Sequence, residues 1–79
     1  MKVALKITVE TGSWAERYIN KRSISIDVPE GSTVLDAINA AGILLDEAGI
    51  AVVDGRAVPR EYPLSDGDVV KILPVIIGG

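Results

Sequence analysis

Residues 69–79, VVKILPVIIGG, decide how this chain can fold, because this last apolar segment needs a sheet to join. Side chains alternate across a strand, and the charged Lys71 marks the side that faces solvent. We therefore predict a strand over residues 69–75 in which Val70 and Ile72 face a helix. Apolar residues on the outer face of a central strand are typical of a partner-docking surface. The predicted docking residues are Val69, Lys71, Leu73 and Val75.

Two upstream segments show the two-residue period of half-buried strands. Apolar residues occupy every second position over residues 3–9 and again over residues 24–28. The connection between them contains Trp14 and Tyr18, four residues apart, and two conformations stay open for it: a short helical turn or an extension of the hairpin. Residues 11–22 folded over the outer face of the last strand are the alternative to a docking site there.

A short helix is predicted over residues 34–41. Thr33 and Asp36 have the spacing of a capping box, in which each residue satisfies a backbone N–H of the other. Gly42 supplies a left-handed residue that ends the helix. The apolar residues that recur at helical spacing are Val34, Leu35, Ile38 and Ala41.

The segment after the helix predicts a turn, a hairpin and a loop. We interpret residues 46–49 as a turn whose apolar neighbours pack under the sheet: Leu44, Leu45 and Ile50. The dipeptide Asp54-Gly55 between apolar pairs is a strong signal for a tight hairpin. Residues 59–68 are predicted to form a loop with Leu64 as its core anchor.

The predicted order is two strands, a helix, a short hairpin and a final strand. A helix after a hairpin covers one face of a sheet, and the final strand pairs in the middle, parallel to the first. This is the α+β arrangement called the β-grasp, or ubiquitin-like, fold. We expect one β-grasp domain over residues 1–75 and a flexible tail over residues 76–79.

Composition argues against catalysis by this chain alone. Its 79 residues include no His and no Cys, which removes imidazole acid–base chemistry, thiolate nucleophiles and the usual zinc sites. The net charge of −3 and the absence of a basic patch argue against nucleic-acid binding. The amino-terminal residues alternate between apolar and polar, so they predict neither a membrane span nor a signal peptide. A chain without cysteine is compatible with the cytoplasm.

Adjacent carboxylates occur in two predicted turns, at Asp46-Glu47 and around Gly67. A calcium site or a glycosidase pair needs more oxygen ligands or a cleft. We therefore interpret Asp66 and Asp68 as turn carboxylates and predict no metal site.

The sequence ends in Gly78-Gly79. A terminal carboxylate is ionised at neutral pH, since its ordinary pKa is about 3.3 to 3.7, and it can attack a nucleotide phosphorus. Glycine has no Cβ, so this pair fits a channel too narrow for other residues. Residues 76–79, fully extended, reach at most about 14 Å. The alternative is an ordinary disordered tail.

These features together resemble the ThiS/MoaD family of ubiquitin-like sulfur carriers. The resemblance covers nearly the whole chain apart from residues 11–22, and it depends on an ordered combination rather than on one motif. The segments that carry it are VPEGSTV (28–34), VDGRAV (53–58), LSDGDVV (64–70), LPV (73–75) and the Gly78-Gly79 end.

The resemblance implies a mechanism in which Gly79 is the reacting residue. An E1-like adenylating enzyme uses Mg and ATP, neither of which this chain binds, to form an acyl-adenylate on the Gly79 carboxylate. Sulfur from a persulfide donor or sulfurtransferase then replaces AMP, and the resulting thiocarboxylate delivers sulfur to an acceptor synthase subunit. Ile76, Ile77 and Gly78 are the tail residues that the resemblance places inside the partner's site.

The Pro74-Val75 segment resembles the small subunit of molybdopterin synthase, which favours molybdopterin or tungstopterin biosynthesis. This chain has one proline and no phenylalanine there, where that subunit usually has aromatic and double-proline character. Thiamine-type and tRNA-thiolation carriers and ubiquitin-like modifiers share the remaining features. A non-covalent β-grasp interaction module is an alternative from another class.

Overall fold

The computed structural model describes residues 4–12 and 23–74. They form a five-stranded mixed sheet in the order β2-β1-β5-β3-β4, with one short helix. Strand β5 lies in the middle, parallel to β1 and antiparallel to β3, so the predicted β-grasp fold is confirmed. The elements are β1 (Ala4–Thr11), β2 (Ser23–Pro29), α1 (Val34–Ala40), β3 (Ala48–Val53), β4 (Arg56–Val58) and β5 (Val69–Pro74).

The core lies between α1 and one face of the sheet. Every second residue of β1 and β5 is buried there, as the sequence period predicts. Branched aliphatic side chains fill most of this space, and the most deeply buried ones are Ile7, Ile72, Val9, Val34, Val53 and Val70. The opposite face of the sheet, which we call the outer face, carries no helix in the described residues.

Both ends of α1 have the predicted signals. The capping box is present, with the Thr33 N–H donating to Asp36 Oδ2 at 2.9 Å. Gly42 follows the helix with a φ of +79°, which turns the chain back toward the sheet. The loop before β5 also satisfies the first turn, because the Val34 N–H donates to the Tyr62 carbonyl at 3.0 Å.

The predicted hairpin and loop are also observed. Asp54 and Gly55 both have positive φ, 53° and 77°, as a two-residue hairpin turn between β3 and β4 requires. Leu64 is buried and anchors the loop between β4 and β5.

The predicted turn at residues 46–49 is wrong in its extent, and of its three apolar neighbours only Leu45 packs against the core as predicted. Strand β3 already begins at Ala48, and the side chains of Leu44 and Ile50 are 58% and 51% exposed instead of lying under the sheet. After Gly42 the chain instead buries Ile43, and Ala48 fills the next core position. The physical reason at Ile50 is a β-bulge, described below.

The loop before β5 is tied to the start of β1 through a compact turn at residues 65–68. Lys6 donates its backbone N–H to Asp66 Oδ1 at 2.7 Å, and its carbonyl accepts from the Gly67 N–H at 2.9 Å. The Ser65 N–H donates to Asp68 Oδ2 at 2.8 Å, which closes the turn. These bonds set where β5 enters the sheet beside β1.

Candidate partner-binding surface

Strand β5 presents alternate faces to the core and to solvent. Val70 and Ile72 are buried, whereas Val69 and Leu73 are 44% and 41% exposed on the outer face, where Lys71 is exposed between them. The sequence-derived alternation of this strand is therefore observed up to Pro74. Its role in docking stays a prediction.

The other predicted site residues lie outside the described part of the chain. These are Val75, Ile76, Ile77, Gly78 and Gly79. The alternative in which residues 11–22 cover the outer face concerns a segment of which only residues 11 and 12 are described. The predicted boundary between a domain at 1–75 and a tail at 76–79 lies outside the described residues too.

Ile50 belongs to the same surface, although the sequence analysis placed it in the core. Ala48 pairs with Pro74 and Ile50 pairs with Leu73, so Gly49 is one extra residue in β3. Such a bulge reverses the side-chain alternation on either side of it. Ala48 therefore faces the core, whereas Ile50 faces outward next to Leu73. The glycine between two strand-like residues is the only sequence signal that indicates this.

The neighbouring strands complete the outer face around Lys71. Its cross-strand neighbours are Glu10 on β1 and Val52 on β3. Two open depressions meet here, and Glu10 and Lys71 line both of them. One depression extends to Gly12 and Leu73, near the end of β5 from which the chain leaves the sheet.

The second depression has a more acidic rim. It extends from Lys71 past Val69 to the carboxylate-bearing residues Asp54 and Asp68. Asp68 is engaged in the turn at residues 65–68, and Asp66 accepts a hydrogen bond from β1. Both aspartates thus serve the turn structure, which agrees with their interpretation as turn carboxylates.

Within residues 4–12 and 23–74, no group of three or more Asp or Glu side chains is arranged to hold a metal ion. The same described residues contain no helix long and apolar enough to cross a membrane. The outer face offers apolar contact through Ile50, Val69 and Leu73, with the exposed Lys71 among them.

The fold defines this molecule as a ubiquitin-like β-grasp protein, and solved structures agree. H. volcanii small archaeal modifier protein 1 matches with a TM-score of 0.76 and 18% identity over 91% of this chain and 99% of its own. A putative molybdopterin converting factor, subunit 1, from Pyrococcus furiosus matches with a TM-score of 0.74 and 23% identity over the same shares. A designed protein based on ubiquitin matches with a TM-score of 0.63 and 15% identity, over 95% of this chain and 93% of its own.

Sequence comparison shows the family to which the chain belongs. The model of the ThiS family matches residues 15–79, so the chain belongs to this family of ubiquitin-like sulfur carriers. Protein RnfH of Burkholderia mallei (strain NCTC 10229) is 36% identical over 61 residues, which are 68% of this chain. The matched region spans 56% of that relative's length. Members of the ThiS/MoaD family are small carrier proteins that work with E1-like enzymes and synthase partners.

Proposed function

We propose that this chain is a sulfur carrier whose Gly79 carboxylate is adenylated and then converted to a thiocarboxylate. The observation that carries the proposal is the match to the ThiS family over residues 15–79, which includes Gly78 and Gly79. We assign the carrier to molybdopterin or tungstopterin biosynthesis because of the Pro74-Val75 segment, which resembles the molybdopterin-synthase small subunit. The proposed compartment is the cytoplasm.

The chemistry begins at the carboxylate. One of its oxygens attacks the α-phosphorus of ATP, pyrophosphate leaves, and the product is an acyl-adenylate on Gly79. The terminal sulfur of a donor persulfide then attacks the carbonyl carbon and expels AMP. A second thiol of the donor cleaves the remaining S–S bond, which leaves the thiocarboxylate on Gly79 and a disulfide on the donor.

This chain contributes the tail and the outer face, while its partners contribute the catalytic groups. The E1-like enzyme supplies Mg and ATP, the sulfurtransferase supplies the persulfide, and the acceptor synthase subunit receives the sulfur. Ile76, Ile77 and Gly78 carry Gly79 into these partners' sites, and two residues without Cβ keep the end of the tail narrow. Docking on the outer face holds the tail near its target, so that the reaction becomes effectively intramolecular.

Deleting Gly79 tests this proposal. The truncated chain should fail to support ATP–pyrophosphate exchange by the E1-like enzyme of the same host, since its new terminus is one residue too short. Its melting temperature should stay that of the wild type, because the described core involves residues between Leu5 and Ile72. Mass spectrometry of the full chain isolated from its host should show one oxygen replaced by sulfur at Gly79.

The outcomes separate the alternatives. Exchange at the wild-type rate by the truncated chain contradicts the carrier mechanism. Exchange accompanied by isopeptide-linked conjugates and no thiocarboxylate would instead favour a ubiquitin-like modifier. Binding without any exchange would favour a non-covalent interaction module.

A further inference from the structure

Lys71 is a single cation in the middle of an otherwise apolar stripe. On β5 it lies between Val69 and Leu73, and across the ladder to β3 its neighbour is Val52. Within residues 4–12 and 23–74 it forms no ion pair, although Glu10 is its register neighbour on β1. In the free chain this side chain is exposed, so water solvates its charge.

Docking on the outer face changes that environment. A partner that covers Val69 and Leu73 also covers Lys71 between them, and the ammonium group then loses water. The free energy lost when an unpaired ammonium group is buried is far larger than the free energy gained from the adjacent apolar contacts. When a partner binds this face tightly, Lys71 must therefore gain a hydrogen-bonding counter-charge, either from the partner or from Glu10 of this chain.

We propose that the activating enzyme meets this face with an apolar surface that holds a carboxylate opposite Lys71. This inference rests on the proposed function and names the chemistry of its docking partner. The carboxylate makes Lys71 the specificity residue of the surface, since a partner with a neutral or basic group at that point leaves the charge unpaired. The apolar residues Ile50, Val69 and Leu73 lie beside the pair on β3 and β5, where their contact with the partner limits access of water.

Glu10 offers the competing source of the counter-charge. It is half-buried beside Lys71 on β1 and lines both depressions with it. If docking drove Glu10 and Lys71 into a pair within this chain, the partner would need no carboxylate. If the partner supplies the carboxylate, removal of the Glu10 charge should not weaken binding. If Glu10 supplies it, the same change should weaken binding.

The experiment measures the affinity of the full chain for the E1-like enzyme of the same host at low and high salt. Lys71→Gln should weaken binding at least tenfold, Lys71→Glu at least a hundredfold, and Lys71→Gln should reduce the salt dependence. Glu10→Gln should leave affinity unchanged or improve it. Lys6→Gln is the matched control, because Lys6 is an exposed lysine at the other end of β1, and it should change affinity less than twofold.

Exchange kinetics separate this inference from the proposed function. Lys71→Gln should raise KM for the carrier and leave the maximal exchange rate unchanged, because docking is weakened and the tail chemistry is intact. If Lys71→Gln binds like the wild type, or if Glu10→Gln weakens binding as much as Lys71→Gln does, this inference is wrong and the carrier mechanism stands. If the wild-type chain supports no exchange at all, both the inference about Lys71 and the proposed carrier function are wrong.

Discussion

At the scale of single residues, Gly49 has the largest effect on the outer face. It is the extra residue of the bulge in β3, so Ala48 enters the core and Ile50 leaves it. Ile50 then lies across from Leu73 and enlarges the apolar surface that β5 alone would present. A residue with no side chain thus determines which side chains of its own strand, β3, lie on the outer face.

Leu73→Glu tests the outer face against a neighbouring control. Leu73 is 41% exposed, so the new carboxylate stays solvated, and unfolding free energy should change by about 0.5–1 kcal/mol. Binding to the activating enzyme should be lost, because docking would bury the charge. Ile72→Glu is the control at the next position: Ile72 is 1% exposed, so an unpaired buried carboxylate should cost more than about 4 kcal/mol.

A thermal melt measures the stability of the two variants, and a titration with the activating enzyme measures their affinity. A large loss of stability in Leu73→Glu would mean that this residue is covered in the folded chain. A stable Leu73→Glu variant that binds at wild-type strength would refute the docking surface and leave the tail as the remaining functional element.

At the scale of elements, the turn at residues 65–68 positions β5. Parallel strands cannot be joined by a hairpin, so β5 reaches its place beside β1 only after a long connection. The turn fixes the end of that connection, because Asp66 and Gly67 both bond to the backbone of Lys6. The Thr8 N–H then donates to the Asp68 carbonyl at 3.0 Å, and the ladder between the two strands begins.

Asp66→Ala should therefore destabilise the fold although Asp66 is exposed. The substitution removes the acceptor of the Lys6 N–H, and we expect a loss of about 1 kcal/mol in unfolding free energy. Asp46→Ala is the matched control, an exposed aspartate in another turn, and should stay within about 0.5 kcal/mol of wild type. Urea unfolding measures both. Equal effects of the two substitutions would show that the turn bonds contribute no net stability.

At the scale of the whole molecule, β1, β5 and β3 are the strands with partners on both sides. β2 and β4 form the two edges of the sheet, and β4 has only three residues. Edge strands open at lower free energy than central strands, because fewer bonds and contacts hold them. The outer face therefore lies on the most stable strands of the described residues, so the proposed docking surface would be preorganised.

Amide hydrogen exchange should be slower in the central strands than in the edge strands. The amides of Val70 and Ile72 should exchange with the global unfolding free energy, whereas those of β4 should exchange through local opening and much faster. Exchange measured residue by residue by NMR checks this. Protection of β4 equal to that of β5 would contradict the account of the sheet as a stable centre with weaker edges.

Much of the candidate site was predictable because side chains alternate between the two faces of a strand, and this alternation depends only on local sequence. Lys71 identified the outer face of β5, and Val69 and Leu73 followed from the two-residue period. Ile50 was not predictable in the same way, since a bulge depends on how β3 meets β5 rather than on the period of β3 itself. The role of Gly79 came from the family resemblance and remains a prediction.

The sequence by itself determined the elements, their order and the residues that end them. Capping at Thr33, the Asp54-Gly55 turn and the alternation of β1 and β5 are local signals that need no distant partner. Only the tertiary structure decided that Ile43 is buried while Leu44 is exposed, that Gly49 forms a bulge, and that the turn at residues 65–68 bonds to β1. These features depend on contacts between segments far apart in the chain, and the residues within each segment do not encode the position of the other.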